Sequence, residues 1–123
     1  MNPTELANQV RDVDYGRLKA VLGEMKLNLE FSTVAMSELR QSIPKPAVVK
    51  KRTDTDLAFE QVRYRELALR NSIANASNAP AEVAAAAQAQ VAADYEAYAR
   101  AVAAAESIAR NSGAQLAQSM PAE

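Results

Sequence analysis

The chain contains no cysteine, histidine or tryptophan, and only three glycines among its 123 residues. Without cysteine there is no disulfide, thiolate nucleophile or iron–sulfur cluster, and without cysteine and histidine the usual zinc ligands are missing. Acid–base catalysis would fall to carboxylates, lysine or tyrosine. The glycines are never clustered, which excludes phosphate-binding loops of the P-loop or dinucleotide type. We therefore expect a protein that is not an enzyme and has no cofactor, metal or small-molecule substrate.

Long apolar runs are absent as well. No stretch approaches 18 apolar residues without a charge or an amide, and the first ten residues lack a basic stretch followed by an apolar one. We expect neither a signal peptide nor a membrane span. The expected location is cytoplasmic or virion-associated.

Alanine dominates what the chain does contain. There are 27 alanines but only 25 residues of leucine, isoleucine, valine and phenylalanine together. A methyl group buries little apolar area. The composition therefore predicts one domain with a thin core.

The clearest pattern is an apolar seam between residues 15 and 43. Its members alternate in spacing between four and three residues, which is typical of the a and d positions of packed helices. We predict one helix over residues 15–43, with this seam as a helix-packing or interface surface. Three further residues, Val21, Leu27 and Phe31, are expected to widen the apolar face. The seam comprises Leu18, Leu22, Met25, Leu29, Ser32, Met36, Leu39 and Ile43.

Local signals predict where the other helices begin and end. Capping and proline signals near the N-terminus predict a short first helix. Two prolines end the second helix and make residues 44–52 a linker that allows a hinge. Thr53 and Asp56 have the spacing of a capping box, which opens a helix predicted over residues 53–75. Acidic pairs at these starts are explained by the helix dipole, so we predict no metal site.

A second seam lies in the alanine-rich part of the chain, where a last helix is predicted over residues 79–112. We interpret its tyrosines as large side chains that fill spaces between alanines. Gly113 follows as a helix-stop signal, and residues 113–123 are predicted to be a flexible tail. The large members of this seam are Val91, Tyr95, Tyr98 and Val102.

These elements predict an all-α protein: three main helices, two of them long with heptad-like seams, and a short N-terminal helix, in a hairpin or bundle over residues 1–112. Because large apolar residues are few, we expect at least one seam to contact another chain. The expected function is a non-enzymatic interaction or assembly subunit. It would be homo-oligomeric, or docked as an adaptor or structural component on a larger bacterial or phage complex. A small inhibitor of a partner is a further alternative.

One charge feature supports a different function. Basic residues over positions 45–70 could contact phosphates or an acidic partner. Acidic residues interleave with them, and residues 1–70 carry 12 basic and 10 acidic side chains, whereas nucleic-acid-binding domains are usually far more basic. The alternative is therefore a helical nucleic-acid-binding packaging or regulatory factor. Its candidate contacts are Lys45, Lys50, Lys51, Arg52 and Arg63.

Overall fold

The computed structural model describes residues 3–43 and 53–119, and the regular structure within them is entirely helical. The predicted all-α fold, with a short N-terminal helix and three longer ones, is confirmed. In the described part of the chain, no helix is long and apolar enough to cross a membrane. The helices are α1 (Pro3–Asp12), α2 (Tyr15–Ser42), α3 (Asp54–Asn78) and α4 (Ala84–Ser119), with a 3-10 turn at Ala81–Val83 before α4.

α2 begins at the predicted residue, Tyr15, and α3 begins at Asp54, directly after the predicted cap Thr53. The Asp14 side chain accepts a hydrogen bond from the Arg17 backbone N–H at 3.0 Å and caps α2. At α3, Thr53 Oγ1 accepts from the Asp56 N–H at 3.2 Å, and the Asp56 carboxylate accepts from the Thr53 N–H at 3.1 Å. This confirms the predicted capping box, which satisfies two backbone donors that the helix itself leaves unpaired.

Two predicted helix ends are wrong. α3 continues to Asn78, past the predicted end at residue 75, and the backbone N–H of Ala79 then bonds to the Ala76 carbonyl at 3.3 Å. α4 continues through Gly113 to Ser119. A glycine inside a helix costs only about 1 kcal/mol relative to alanine, and alanine and glutamine, which follow it, are good helix formers. The predicted tail is therefore helical over residues 113–119, and its flexibility stays a prediction.

The beginning of α4 also differs from the prediction of a helix over residues 79–112. Pro80 adopts an extended conformation and precedes the 3-10 turn, so the α-helix begins only at Ala84. The chain therefore reverses direction between Asn78 and Ala84.

Side-chain contacts show that consecutive long helices are antiparallel. Near the end of α2, Arg40 reaches Asp56 at the start of α3, whereas Thr33 reaches Glu66 further along α3. Ser72 on α3 hydrogen-bonds to Asp94 on α4. Residue numbers therefore increase in opposite directions along each neighbouring pair, as short connections favour.

α4 is the central helix, because it packs against each of the other three. One stripe of it faces α1, where Gln88 bonds to the Val10 carbonyl at 3.0 Å and Glu96 pairs with Arg11 at 3.7 Å. Another stripe faces α3, and Tyr98 reaches α2. Small side chains let helix backbones approach closely. Four alanines of α4 are buried in these contacts: Ala84, Ala92, Ala101 and Ala105.

Both predicted seams are covered within the monomer. The first seam's side chains are buried except for Ser32 and Leu39, which are partly buried. In the second seam, Val91 and Tyr98 are buried, and Tyr95 and Val102 pack partly buried against the core. The reason given for a second chain, that one monomer could not cover both seams, therefore does not hold. The buried members of the first seam are Leu18, Leu22, Met25, Leu29, Met36 and Ile43.

Gln88 anchors the end of α1 to α4. Its Nε2 donates to the carbonyl oxygens of Val10 and Val13, at 3.0 and 2.7 Å. Both carbonyls lie at the C-terminal end of α1, where the helix offers no internal donors. We expect Gln88→Ala to lower the free energy of unfolding by about 1–2 kcal/mol, because a buried carbonyl loses its donor. Urea denaturation measures this, with Gln90→Ala, at an exposed site of the same helix, as the control. Equal losses in both variants would contradict the anchoring role.

Candidate functional site

The outer face of α2 is an apolar stripe that none of the other described residues covers. At about 100° per residue its six positions fall within about 80° of arc, on the side of the helix opposite Met25 and Leu29. All six are exposed, and the three large side chains expose 57% (Leu27), 74% (Phe31) and 57% (Val34) of their surface. We define the outer face of α2 as Gly16, Ala20, Gly23, Leu27, Phe31 and Val34.

This surface corrects one expectation from the sequence. Leu27 and Phe31 do not widen the face that contacts the core, because they lie on the opposite side of the helix. The sequence signal of this surface is a second set of small and apolar residues between positions 16 and 34, spaced three or four residues apart. It is easily missed, because the longer first seam lies on the same helix.

Gly23 lies in the middle of the outer face. A Cβ built there would meet no atom of the described residues within 4 Å. A glycine in mid-helix costs about 1 kcal/mol relative to alanine. No contact within the described part of the chain therefore requires a glycine at this position.

A second group of exposed apolar side chains, on α3, is interrupted by polar residues. Leu57, Tyr64 and Leu67 lie on its solvent side. Glu60 lies between the first two, and the Arg65 guanidinium lies 5.4 Å from the centre of the Tyr64 ring. The outer face of α2 has no charged residue within its stripe, so it is the better candidate for protein contact.

The polar cluster between α2 and α3 is a closed structural network. Glu66 is only 4% exposed, yet its carboxylate accepts from Arg63 at 3.3 Å, from Arg70 at 3.1 Å and from Thr33 at 3.1 Å. Glu66 and Arg70 have the i, i+4 spacing of an ion pair on one helix, and the structure shows this pair with a buried carboxylate. A buried charge needs such partners, and these meet the requirement without a ligand.

The tyrosines of the second seam are packing residues. Tyr98 shares a 2.6 Å hydrogen bond with Ser32, which is the polar member of the first seam. Burial raises the pKa of the Tyr98 phenol, and it also raises the pKa of the Tyr95 phenol. A hydroxyl held in its neutral form inside a helix interface stabilises the packing and is not presented to a ligand.

A shallow cleft of about 380 Å³ lies between the C-terminal half of α2 and α3. At its edge Arg40 binds Asp56 at 2.7 Å and lies 5.7 Å from the centre of the Phe59 ring. Hydrogen bonds from the Thr53 backbone N–H and from Arg40 hold the pKa of Asp56 below its usual value. Arg40 Nη1 is buried without an acceptor among the described residues. The predicted linker and hinge at residues 44–52 lie outside the described residues, and the cleft carries no assignment.

The basic segment is only partly described. Lys45, Lys50, Lys51 and Arg52 lie outside the described residues, so their role stays a prediction. Arg63 is described and is engaged with the Glu66 carboxylate. Among the described residues, no group of three or more acidic side chains is placed to hold a metal ion.

The chain matches no family model, no curated protein and no solved structure. The functional argument therefore rests on the geometry of the outer face of α2.

Proposed function

We propose that this protein is a non-enzymatic helical subunit that binds another protein through the outer face of α2. It would act as a homo-oligomer, or as an adaptor or structural component of a larger bacterial or phage complex. The observation that carries the proposal is the row of exposed Leu27, Phe31 and Val34 along one uncharged face.

Exposed apolar residues that occur singly need no explanation, but aligned ones mark interaction sites. The three side chains of this row follow the i, i+4, i+7 spacing with which a helix presents anchors to a partner. The folded core already covers both seams, and these three side chains remain exposed in the described part of the monomer. These points support a partner that covers the outer face of α2.

The nucleic-acid alternative receives less support. Arg63 and Arg70 both bind the Glu66 carboxylate, and Arg40 binds Asp56. Three cations share two carboxylates, so most of their charge is neutralised within the chain and they add little to a phosphate-binding field. An inhibitor that covers a partner would use the same outer face of α2, and it differs only in being monomeric when free.

Photo-crosslinking tests the proposed function. Replacing Phe31 with p-benzoylphenylalanine puts a reactive ring of similar shape on the outer face of α2. In cells that naturally produce the protein, irradiation is expected to give an adduct of defined mass. Adding Leu27→Ser and Val34→Ser should remove that adduct, because both anchors are then lost.

The matched control carries the same group at Tyr64, an aromatic residue of similar exposure (63%) on α3. It is expected to give no adduct of that mass. If position 31 gives no defined adduct in cells, or the same adduct as position 64, the outer face of α2 is not the binding surface.

A further inference from the structure

We propose that the partner on the outer face of α2 is a second copy of this chain, packed antiparallel on the same face. This inference rests on the proposed function, because it names the partner of that surface. A symmetric pair requires one surface that complements itself, and this surface has that property in both shape and charge.

The outer face of α2 consists of a small half followed by a large half. Its first three positions are glycine or alanine, and its last three are Leu27, Phe31 and Val34. A twofold axis level with residue 25 places each large side chain against a small residue of the second copy. Leu27 then lies over Gly23, Phe31 over Ala20 and Val34 over Gly16.

A parallel pair has no such complementarity. It would place Phe31 against Phe31 and Gly23 against Gly23, so that large residues hold the helices apart where the small residues need them close. The antiparallel pair also explains why position 23 is a glycine. The space beside Gly23, which the described residues leave empty, receives Leu27 of the second copy.

Charges beside the outer face agree with the same arrangement. Lys19 and Glu30 lie on one flank of it, at about 120° and 140° around the helix relative to Met25. In an antiparallel pair equal flanks meet, so Lys19 lies level with Glu30 of the second copy, and the contact occurs twice. Near the axis two residues face their own copies: Lys26 on the same flank, at about 100° relative to Met25, and Glu24 on the other flank. Both are exposed, so water and salt screen these two repulsions.

The size of the contact indicates a reversible dimer. The outer face is about 28 Å long at 1.5 Å per residue and one helix wide. The area of this narrow strip is less than the roughly 800 Å² that each partner buries in a standard stable interface. We expect a dissociation constant in the micromolar range, so that the dimer fraction rises with protein concentration.

Cysteine crosslinking tests the orientation, and the cysteine-free sequence makes it specific. Lys19→Cys and Glu30→Cys are both at exposed positions. Under mild oxidation, a mixture of the two variants is expected to form the mixed disulfide faster than either variant alone forms its own.

Light scattering of the full chain at increasing concentration should show the wild-type dimer. Gly23→Leu should raise the dissociation constant at least tenfold, because it fills the space that receives Leu27.

Three results would overturn the inference. A wild-type chain that stays monomeric at hundreds of micromolar excludes the second copy. A mixed disulfide that forms no faster than the self-disulfides would contradict the antiparallel pairing, and an unchanged dissociation constant in Gly23→Leu would place the contact elsewhere. A monomer that still gives a heterologous adduct from position 31 in cells leaves the proposed function intact, whereas a monomer without that adduct removes both.

Discussion

Leu29→Asp is expected to unfold the protein, whatever its oligomeric state. Leu29 is 1% exposed and lies in the middle of the buried seam of α2. The substitution removes a buried leucine and places a carboxylate there without a cationic partner. Together these changes cost at least about 4 kcal/mol, a large part of the 5–15 kcal/mol that stabilises a typical domain. Far-ultraviolet circular dichroism should show loss of the cooperative thermal transition.

Leu27→Asp is the matched control, with the same chemical change two residues away on the same helix. Leu27 is 57% exposed, so this variant should keep its helicity and its melting transition. It should lose self-association instead, because the charge now lies in the proposed contact. From the sequence alone, Leu29→Asp is expected to abolish assembly, because it places a charge in the seam. Since Leu29 is buried within the monomer, the substitution instead tests folding. A folded Leu29→Asp variant would contradict the core described above.

Ala92→Leu is expected to destabilise the packing of α1 on α4. Ala92 is fully buried, and it lies one turn from Gln88 and one turn from Glu96, both of which contact α1. A leucine there would force the two backbones apart at a point where only a methyl group fits. Overpacking of this kind costs about 1–3 kcal/mol. Urea denaturation should show a lower midpoint than for the wild-type protein.

Ala93→Leu provides the comparison, because Ala93 is the next residue of α4 and is exposed. Alanine and leucine have similar helix propensities, so this control should stay within about 0.5 kcal/mol of the wild type. If the two variants have the same stability, the alanines of α4 do not set the distance between the helices.

Much of the fold follows from local signals in the chain. The capping box at Thr53 and Asp56 and the cap at Asp14 involve residues three apart, so their chemistry can be interpreted without knowing any tertiary contact. The first seam likewise predicted the buried face of α2. The end of α4 could not be predicted in this way, since Gly113 is compatible with a stop and with a continuing helix.

The candidate surface was less predictable. The sequence places Leu27 and Phe31 off the seam, but it predicts the wrong side of the helix for them. The spacing of Glu66 and Arg70 indicates an ion pair, whereas Thr33 and Arg63, which lie outside that pair, complete a buried cluster. Neither outcome can be deduced from spacing alone, because both depend on which helices lie next to α2 and α3.

The sequence by itself determined that this is an all-helical chain, where α2 and α3 begin, and which seam of α2 faces the core. Those properties depend on residues within a few turns of one another. The tertiary structure alone decided that both seams are covered inside one monomer, and that Leu27, Phe31 and Val34 are on the exposed face. The physical reason is that the burial of a side chain depends on which other helices pack against its own helix. Here the small side chains of α4 allow a close packing that composition alone did not reveal.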